Sequence, residues 1–146
     1  MRLAALLIVA LAGVWAASAT AHGITTHAEW VANANRACTW AGAKRQALPP
    51  FDGSTTQLAR IMPKIRAIQI VELRRIRSVP AASDDRKLVR ALVSDWTLDI
   101  AKERTVYLAL RAHRYAAFNG AYNRVLSLER SEDVLLRALG TACRQT

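Results

Sequence analysis

Apolar side chains recur at intervals of three or four residues from Thr26 to the end of the chain, and no long stretch alternates with a period of two. This spacing is typical of amphipathic helices, so the sequence predicts an all-α fold. The chain has 146 residues, of which 52% are hydrophobic, and it contains only 6 Gly and 4 Pro. It is therefore long and apolar enough for one folded domain, and its composition excludes a disordered or collagen-like chain.

Capping residues mark where the first two helices begin. Thr26 and Glu29 have the spacing of a capping box, and a linker with two prolines and a glycine follows the first helix. Ser54 and Gln57 repeat the capping-box spacing and predict the start of the second helix. Pro63 falls inside this helix and should kink it, because proline has no N–H and its ring clashes with the preceding turn.

Further turn signals separate the second, third and fourth helices. Pro80 ends the second helix, and Ser83 with two following aspartates suits the start of the third. The next turn falls either near His113 or at Asn119-Gly120, and we place it near His113 because helical spacing continues across Asn-Gly. Gly140 is a suitable C-terminal cap for the fourth helix. Four helices with mostly short connections predict an up-down-up-down four-helix bundle.

The first 21 residues have the layout of a signal peptide. Met1-Arg2 precedes an uncharged stretch, Leu3 to Ala21, which ends in Ala19-Thr20-Ala21. Small residues at these positions predict cleavage before His22, which would leave residues 22–146 as a single bundle domain in the cell envelope or outside the cell. The alternative is an uncleaved N-terminal membrane anchor, since about 20 apolar residues can span a bilayer.

Two cysteines follow the predicted leader, and export would place them in an oxidising compartment. A single Cys38–Cys143 disulfide is therefore expected. Cys143 should lie at the end of the bundle where the first helix begins, whereas Cys38 lies well inside that helix. The bond requires either that the first helix slides toward this end or that the C-terminal segment folds back.

A set of short motifs is spread along nearly the whole chain after the predicted leader: Trp30-Val31-Ala32-Asn33-Ala34-Asn35-Arg36-Ala37-Cys38, Ala47-Leu48-Pro49, Pro63, Glu72-Leu73, Pro80, Leu139-Gly140 and Cys143. In these residues the chain resembles small exported helical proteins of high-GC actinobacteria, many of which are lipoprotein-like. The resemblance implies a helical fold in the cell envelope, and it implies no activity. Val14 stands where the lipidated cysteine of such proteins would be, so no lipid anchor is expected.

Three carboxylates fall on the apolar stripes of their helices: Glu72, Glu103 and Glu129. Helices 2 and 4 are diagonal in the predicted bundle, so Glu72 and Glu129 could meet on its axis. There they could share a proton, hold an arginine or bind a metal; the alternative is that both lie at the edges of their stripes and pair with neighbouring arginines. The Glu-x-x-His motif of di-iron bundles does not occur, so no metal and no cofactor are predicted.

Helix 3 also carries a ladder of carboxylates at Asp95, Asp99 and Glu103. Like charges at this spacing repel each other unless cations lie beside them. The sequence predicts a solvated salt-bridge face, neutralised by Lys102, Arg60 and Lys64.

Basic residues crowd around the turn between helices 2 and 3, in a chain whose formal net charge is +10. Arg137 and Arg144 should lie at the same end of the bundle. The crowding of basic residues at this end predicts an anion-binding surface; the alternative is a solvated surface without a binding role. The candidate anion-binding residues are Arg74, Arg75, Arg77, Arg86, Lys87 and Arg90.

These patterns favour a non-enzymatic binding or interaction module. The sequence has no supporting constellation for a Ser-His-Asp or Cys-His site, and no catalytic residue is predicted. The expected partner is an anionic membrane surface or a wall polymer, with a protein as the alternative; nucleic acid is not expected outside the membrane. The alternative function is a small exported helical enzyme of the chorismate-mutase type, which would use inward Arg side chains with Glu72 and Gln69. A hollow bundle centre would favour the enzyme, and a packed centre would favour the module.

Overall fold

Four long α-helices make up most of the chain. A computed structural model describes residues 25–143, so the predicted leader, residues 1–21, lies outside the described range. The helices are α1 (His27–Gln46), α2 (Thr55–Arg77), α3 (Arg86–Arg111) and α4 (Tyr115–Ala138), and the described part contains no strand. The predicted all-α four-helix bundle is confirmed.

The two predicted N-terminal caps are present, but only one is a complete capping box. The Thr26 hydroxyl accepts the Glu29 N–H at 3.2 Å, and the Glu29 carboxylate accepts the Thr26 N–H at 2.8 Å. Ser54 likewise accepts the Gln57 N–H at 3.1 Å. The Gln57 side chain turns away from Ser54, because it accepts the Asp52 N–H and donates to a linker carbonyl. It therefore fixes the linker rather than the start of α2.

The turn between α3 and α4 lies at His113, as predicted, and Asn119-Gly120 lies inside α4. His113 has a φ of 54°, the left-handed conformation that favours glycine. The His113 N–H donates to Leu110 and the Arg114 N–H donates to Ala109, so the last carbonyls of α3 are satisfied. The helical spacing of apolar residues across Asn119-Gly120 therefore predicted the position of the turn better than the Asn-Gly dipeptide did.

The C-terminal segment 140–143 folds back along α1. Gly140 has a φ of 69° and ends α4, which confirms its predicted role as a cap. The Ala142 N–H donates to the Asn35 carboxamide at 2.7 Å. Cys143 then forms the predicted disulfide with Cys38, with 5.5 Å between their Cα atoms. Of the two geometries that the sequence allowed, the structure has the folded-back segment.

The apolar core fills one half of the bundle. This half contains the beginning of α1 and α3 and the end of α2 and α4, with Trp30 and Trp96 fully buried. Pro63 lies in the other half, inside α2. Within the described residues, no helix has both the length and the hydropathy needed to cross a membrane. The core consists of Trp30, Ala34, Ala37, Leu73, Ile76, Val89, Leu92, Trp96, Ile100, Leu136, Leu139 and Cys143.

Candidate functional site

Next to the apolar core, a layer of acidic side chains crosses the interior of the bundle. Glu72 comes from α2, Asp99 and Glu103 from α3, and Glu129 and Glu132 from α4. Asp99 and Glu132 are 0% exposed, Glu72 is 2% exposed and Glu103 is 8% exposed, whereas Glu129 is half-buried. Acidic residues are rarely fully buried, so this acidic layer is an unusual feature of the interior.

One member of the acidic layer is held in an ion pair. The Arg45 guanidinium, at the end of α1, lies 2.5 Å from the Glu72 carboxylate. Burial raises the pKa of Glu72 to about 7, and the Arg45 charge opposes this rise. The pair therefore links α1 to α2 and neutralises the charge of both side chains when Glu72 is ionised.

The carboxylates from α3 and α4 raise the pKa of one another. Burial and then the nearby Glu129 raise the pKa of Asp99 to about 7. The pKa of Glu103 also rises to about 7, first through burial and then through Asp99. Glu132 is raised to a pKa of about 8, again first by burial and then by Asp99. These carboxylates therefore keep their protons to a higher pH than exposed carboxylates do.

The structure buries two of the three predicted carboxylates, Glu72 and Glu103, and half-buries the third, Glu129. Asp99 and Glu132 are additional members. The predicted solvated ladder on α3 is wrong, because Asp99 and Glu103 face the interior and Asp95 accepts a hydrogen bond from Ser131 of α4 at 2.6 Å.

The physical reason is that α3 packs on both α2 and α4, so its buried face is wider than one apolar stripe. The sequence does carry a signal for both missed residues. Asp99 lies seven residues from each of the buried Leu92 and Val106, and Glu132 lies four residues from each of the buried Leu128 and Leu136. Side chains at such spacings share one face of a helix.

Beside the acidic layer, in the half of the bundle away from the core, lies a cavity of about 230 Å³. All four helices contribute to this central cavity. Its polar lining is Arg45, Gln69, Glu103, Tyr122 and Glu129, and its apolar lining is Leu58, Met62, Ile65, Val106 and Val125. The bundle centre is hollow beside Glu103 and Glu129, whereas Glu72 is not among the lining residues.

The six predicted anion-binding residues are all exposed. Four of them line two adjoining hollows between α2 and α3, of about 370 and 250 Å³. Arg77 lines both hollows, Arg74 lines the first, and Arg86 and Arg90 line the second. Arg75 instead lies over the Trp40 ring at 4.3 Å, and Lys87 lines neither hollow. Arg137 is exposed, and Arg144 lies outside the described residues.

Basic side chains also continue along α2 and α3 beyond the predicted end of the bundle. Arg60 and Lys64, together with Arg111, line a third hollow of about 730 Å³ near the α3–α4 turn. Among the described residues, no acidic side chain lines any of these three hollows, which together we call the basic face. The prediction that Arg60 and Lys64 neutralise an α3 ladder is therefore wrong, since Asp99 and Glu103 of that ladder point inward.

Asp84 and Asp85 lie in the connection between α2 and α3, just before the hollow-lining Arg86. Asp84 is exposed, and Asp85 accepts a hydrogen bond from the His27 imidazole at 2.7 Å.

Within residues 25–143, no group of three or more His, Cys, Asp or Glu side chains is arranged to hold a metal ion. No family model, curated protein or solved structure matches the chain.

Proposed function

We propose that this protein is an exported, non-enzymatic binding module whose basic face docks onto anionic membrane surfaces. The observation that carries the proposal is the convergence of Arg74, Arg77, Arg86 and Arg90 on adjoining hollows with no acidic lining among the described residues. The apolar floors of these hollows suit headgroups that carry a phosphate next to an apolar portion.

Two further observations support a site of action outside the cytoplasm. The leader-like pattern at residues 1–21 is that of an exported chain. The Cys38–Cys143 disulfide suits an oxidising compartment, because thiols are kept reduced in the cytosol.

The expected affinity is modest and depends on salt. Each exposed cation near an anionic bilayer contributes about 1 kcal/mol, and salt screens it over a Debye length of about 8 Å at physiological ionic strength. Removing three of the cations should therefore weaken vesicle binding about a hundredfold.

The test is co-sedimentation with vesicles of phosphatidylglycerol or of phosphatidylcholine, at low and high NaCl. The variant Arg77→Gln/Arg86→Gln/Arg90→Gln should lose binding to the anionic vesicles. A matched control, Arg36→Gln/Arg124→Gln/Arg130→Gln, removes the same charge from exposed positions elsewhere.

Equal loss in the two variants, or equal binding to both lipids, would contradict the proposal. Binding to soluble polyphosphate with no binding to vesicles would replace the membrane with a wall polymer as partner.

The central cavity provides the hollow that the alternative, an enzyme of the chorismate-mutase type, requires. Its charge does not suit that substrate, which carries two carboxylates. Glu103 and Glu129 line the cavity, and Arg45, its one basic lining residue among residues 25–143, is already paired with Glu72. We therefore expect chorismate, monitored by ultraviolet absorbance, to be consumed no faster with the protein than without it.

A further inference from the structure

The three tyrosines and both phenylalanines of the chain lie at one end of the bundle, where α4 begins. This is the half of the bundle that the apolar core does not fill. The central cavity brings Tyr122 next to Arg45 at the end of α1, and the hollow of about 730 Å³ brings the start of α2 next to His113. We call this surface the aromatic end; its rings are Phe51, Tyr107, Tyr115, Phe118 and Tyr122.

Three of these rings are open to solvent. Phe51, in the linker between α1 and α2, is 56% exposed, Tyr115 is 53% exposed and Tyr122 is 44% exposed. The Phe118 ring stacks on the Tyr122 ring with 5.6 Å between their centroids, and the Tyr115 ring lies 6.3 Å from the His113 imidazole. Single exposed apolar side chains are common, but a cluster of them marks a surface that contacts a membrane or another protein.

The charge of the aromatic end suits an anionic partner. This end is formed by segments 43–58 and 107–122, which contain four Lys or Arg residues and a single acidic residue, Asp52. Arg111 and Arg114 are exposed on either side of the turn between α3 and α4. Arg111 also lines the hollow of about 730 Å³, so the aromatic end adjoins the basic face.

The kind of ring and its place in the fold favour a lipid surface. Tyrosine has an apolar ring and a polar hydroxyl, which is why it is enriched where a protein meets the boundary between lipid and water. Basic side chains beside such rings attract anionic headgroups. The exposed rings are carried by a linker and by the first turns of α4, which lie at the tip of the bundle, so a flat surface can reach them.

We infer that the aromatic end enters the headgroup layer of an anionic membrane. Phe51, Tyr115 and Tyr122 lie among the headgroups, and Arg111 and Arg114 contact lipid phosphates. This inference rests on the proposed membrane docking of the basic face, and it adds an orientation and an apolar contribution to it. Salt weakens the contribution of the cations, whereas the burial of the rings is not electrostatic and persists in NaCl.

The first test places a tryptophan near either end of α4 in the exported protein. Tyr115→Trp reports on the aromatic end, and Val134→Trp is the matched control, because Val134 is 58% exposed on the same helix. The two positions are about 28 Å apart along the helix. Bromine on lipid acyl chains quenches tryptophan that lies close to it. Brominated phosphatidylglycerol vesicles should therefore quench Tyr115→Trp more than the wild type, and Val134→Trp no more than the wild type.

The second test removes two rings and no charge. Tyr115→Ser/Tyr122→Ser should bind phosphatidylglycerol vesicles about tenfold more weakly, because partial burial of two aromatic rings accounts for such a ratio. The loss should be the same at two NaCl concentrations at which the wild type still binds. Val134→Ser, which removes an exposed apolar side chain near the other end of α4, should leave affinity unchanged. Far-ultraviolet circular dichroism should show equal helix content, since all three side chains are exposed.

The outcomes separate this inference from the proposed function. If the wild type binds anionic vesicles but the two tryptophans are quenched equally, or if the double serine variant keeps full affinity, the inference is overturned and membrane docking stands. If the wild type binds no anionic vesicles, both fail. A wild-type dimer in sedimentation equilibrium that the double serine variant does not form would assign the aromatic end to a second copy of the chain and overturn the inference.

Discussion

Replacing Asp99 with asparagine should stabilise the protein at neutral and alkaline pH. Asp99 is fully buried, and neither of its carboxylate oxygens has a hydrogen-bond partner among the described residues. Burial and the nearby Glu129 raise its pKa from 3.8 to about 7. The folded state therefore holds this proton more tightly than the unfolded chain, which means that ionisation of Asp99 opposes folding.

The magnitude follows from the size of the pKa shift. Because the folded pKa lies above the unfolded one, the stability is greatest below about pH 4 and falls by at most about 1.4 kcal/mol per pH unit up to about pH 7. Between about pH 5 and about pH 8 this single group should cost the wild type about 2–3 kcal/mol. Asparagine avoids this cost but buries an amide without an assured partner, which costs about 1–3 kcal/mol at every pH.

The assay is urea denaturation followed by far-ultraviolet circular dichroism at several pH values. The unfolding free energy of Asp99→Asn minus that of the wild type should rise by about 2–3 kcal/mol from about pH 5 to about pH 8. The matched control Asp84→Asn removes a charge from the exposed turn and should keep the pH dependence of the wild type. A difference that stays constant with pH, or a wild type that becomes more stable over this range, would refute the reasoning.

Three further predictions concern the turn between α3 and α4, the Arg45–Glu72 ion pair and the Cys38–Cys143 disulfide. His113→Gly should raise the unfolding free energy by about 1 kcal/mol in urea denaturation, because glycine adopts the positive φ of this residue without strain; a loss of stability would contradict this. Arg45→Leu should destabilise by about 3 kcal/mol at about pH 8, where Glu72 is ionised, and by less at about pH 5; equal losses at both pH values would contradict the ion pair. Cys38→Ser/Cys143→Ser opens a loop with a sequence separation of 105. This variant should lose up to about 4–5 kcal/mol against the oxidised wild type; an unchanged denaturation midpoint would contradict the expected loss.

The ends of the helices could be predicted from the sequence, because they are determined by neighbouring residues. Thr26 with Glu29, Pro80 and Gly140 each act through neighbouring backbone groups, so their roles can be read from a few residues. The C-terminal segment was not predictable in this way, since its path depends on Asn35 and Cys38, more than 100 residues away in the sequence.

The acidic layer was predicted in part, for a reason that lies in packing. A projection of α4 identifies the stripe, but whether a carboxylate on it is buried depends on which helices cover it. Glu132 lies four residues from Leu128 and from Leu136, so its place on the stripe can be read from the sequence. Predicting that it is buried also requires the positions of the neighbouring helices. The cavity beside Glu103 could not be predicted from the sequence, because side chains of all four helices form its walls.

The disulfide and the acidic layer have opposing effects on the stability of the same bundle. Small domains are stable by about 5–15 kcal/mol, so ionisation of several buried carboxylates removes a large share of this stability as the pH rises toward 8. The Cys38–Cys143 bond closes a loop that includes nearly the whole described chain, and it offsets this loss by about 4–5 kcal/mol. A bundle without this constraint would need a more apolar interior to remain folded at the same pH. The constraint therefore permits buried carboxylates such as Asp99 and Glu103 in the interior, and Glu103 together with Glu129 gives the central cavity its negative charge.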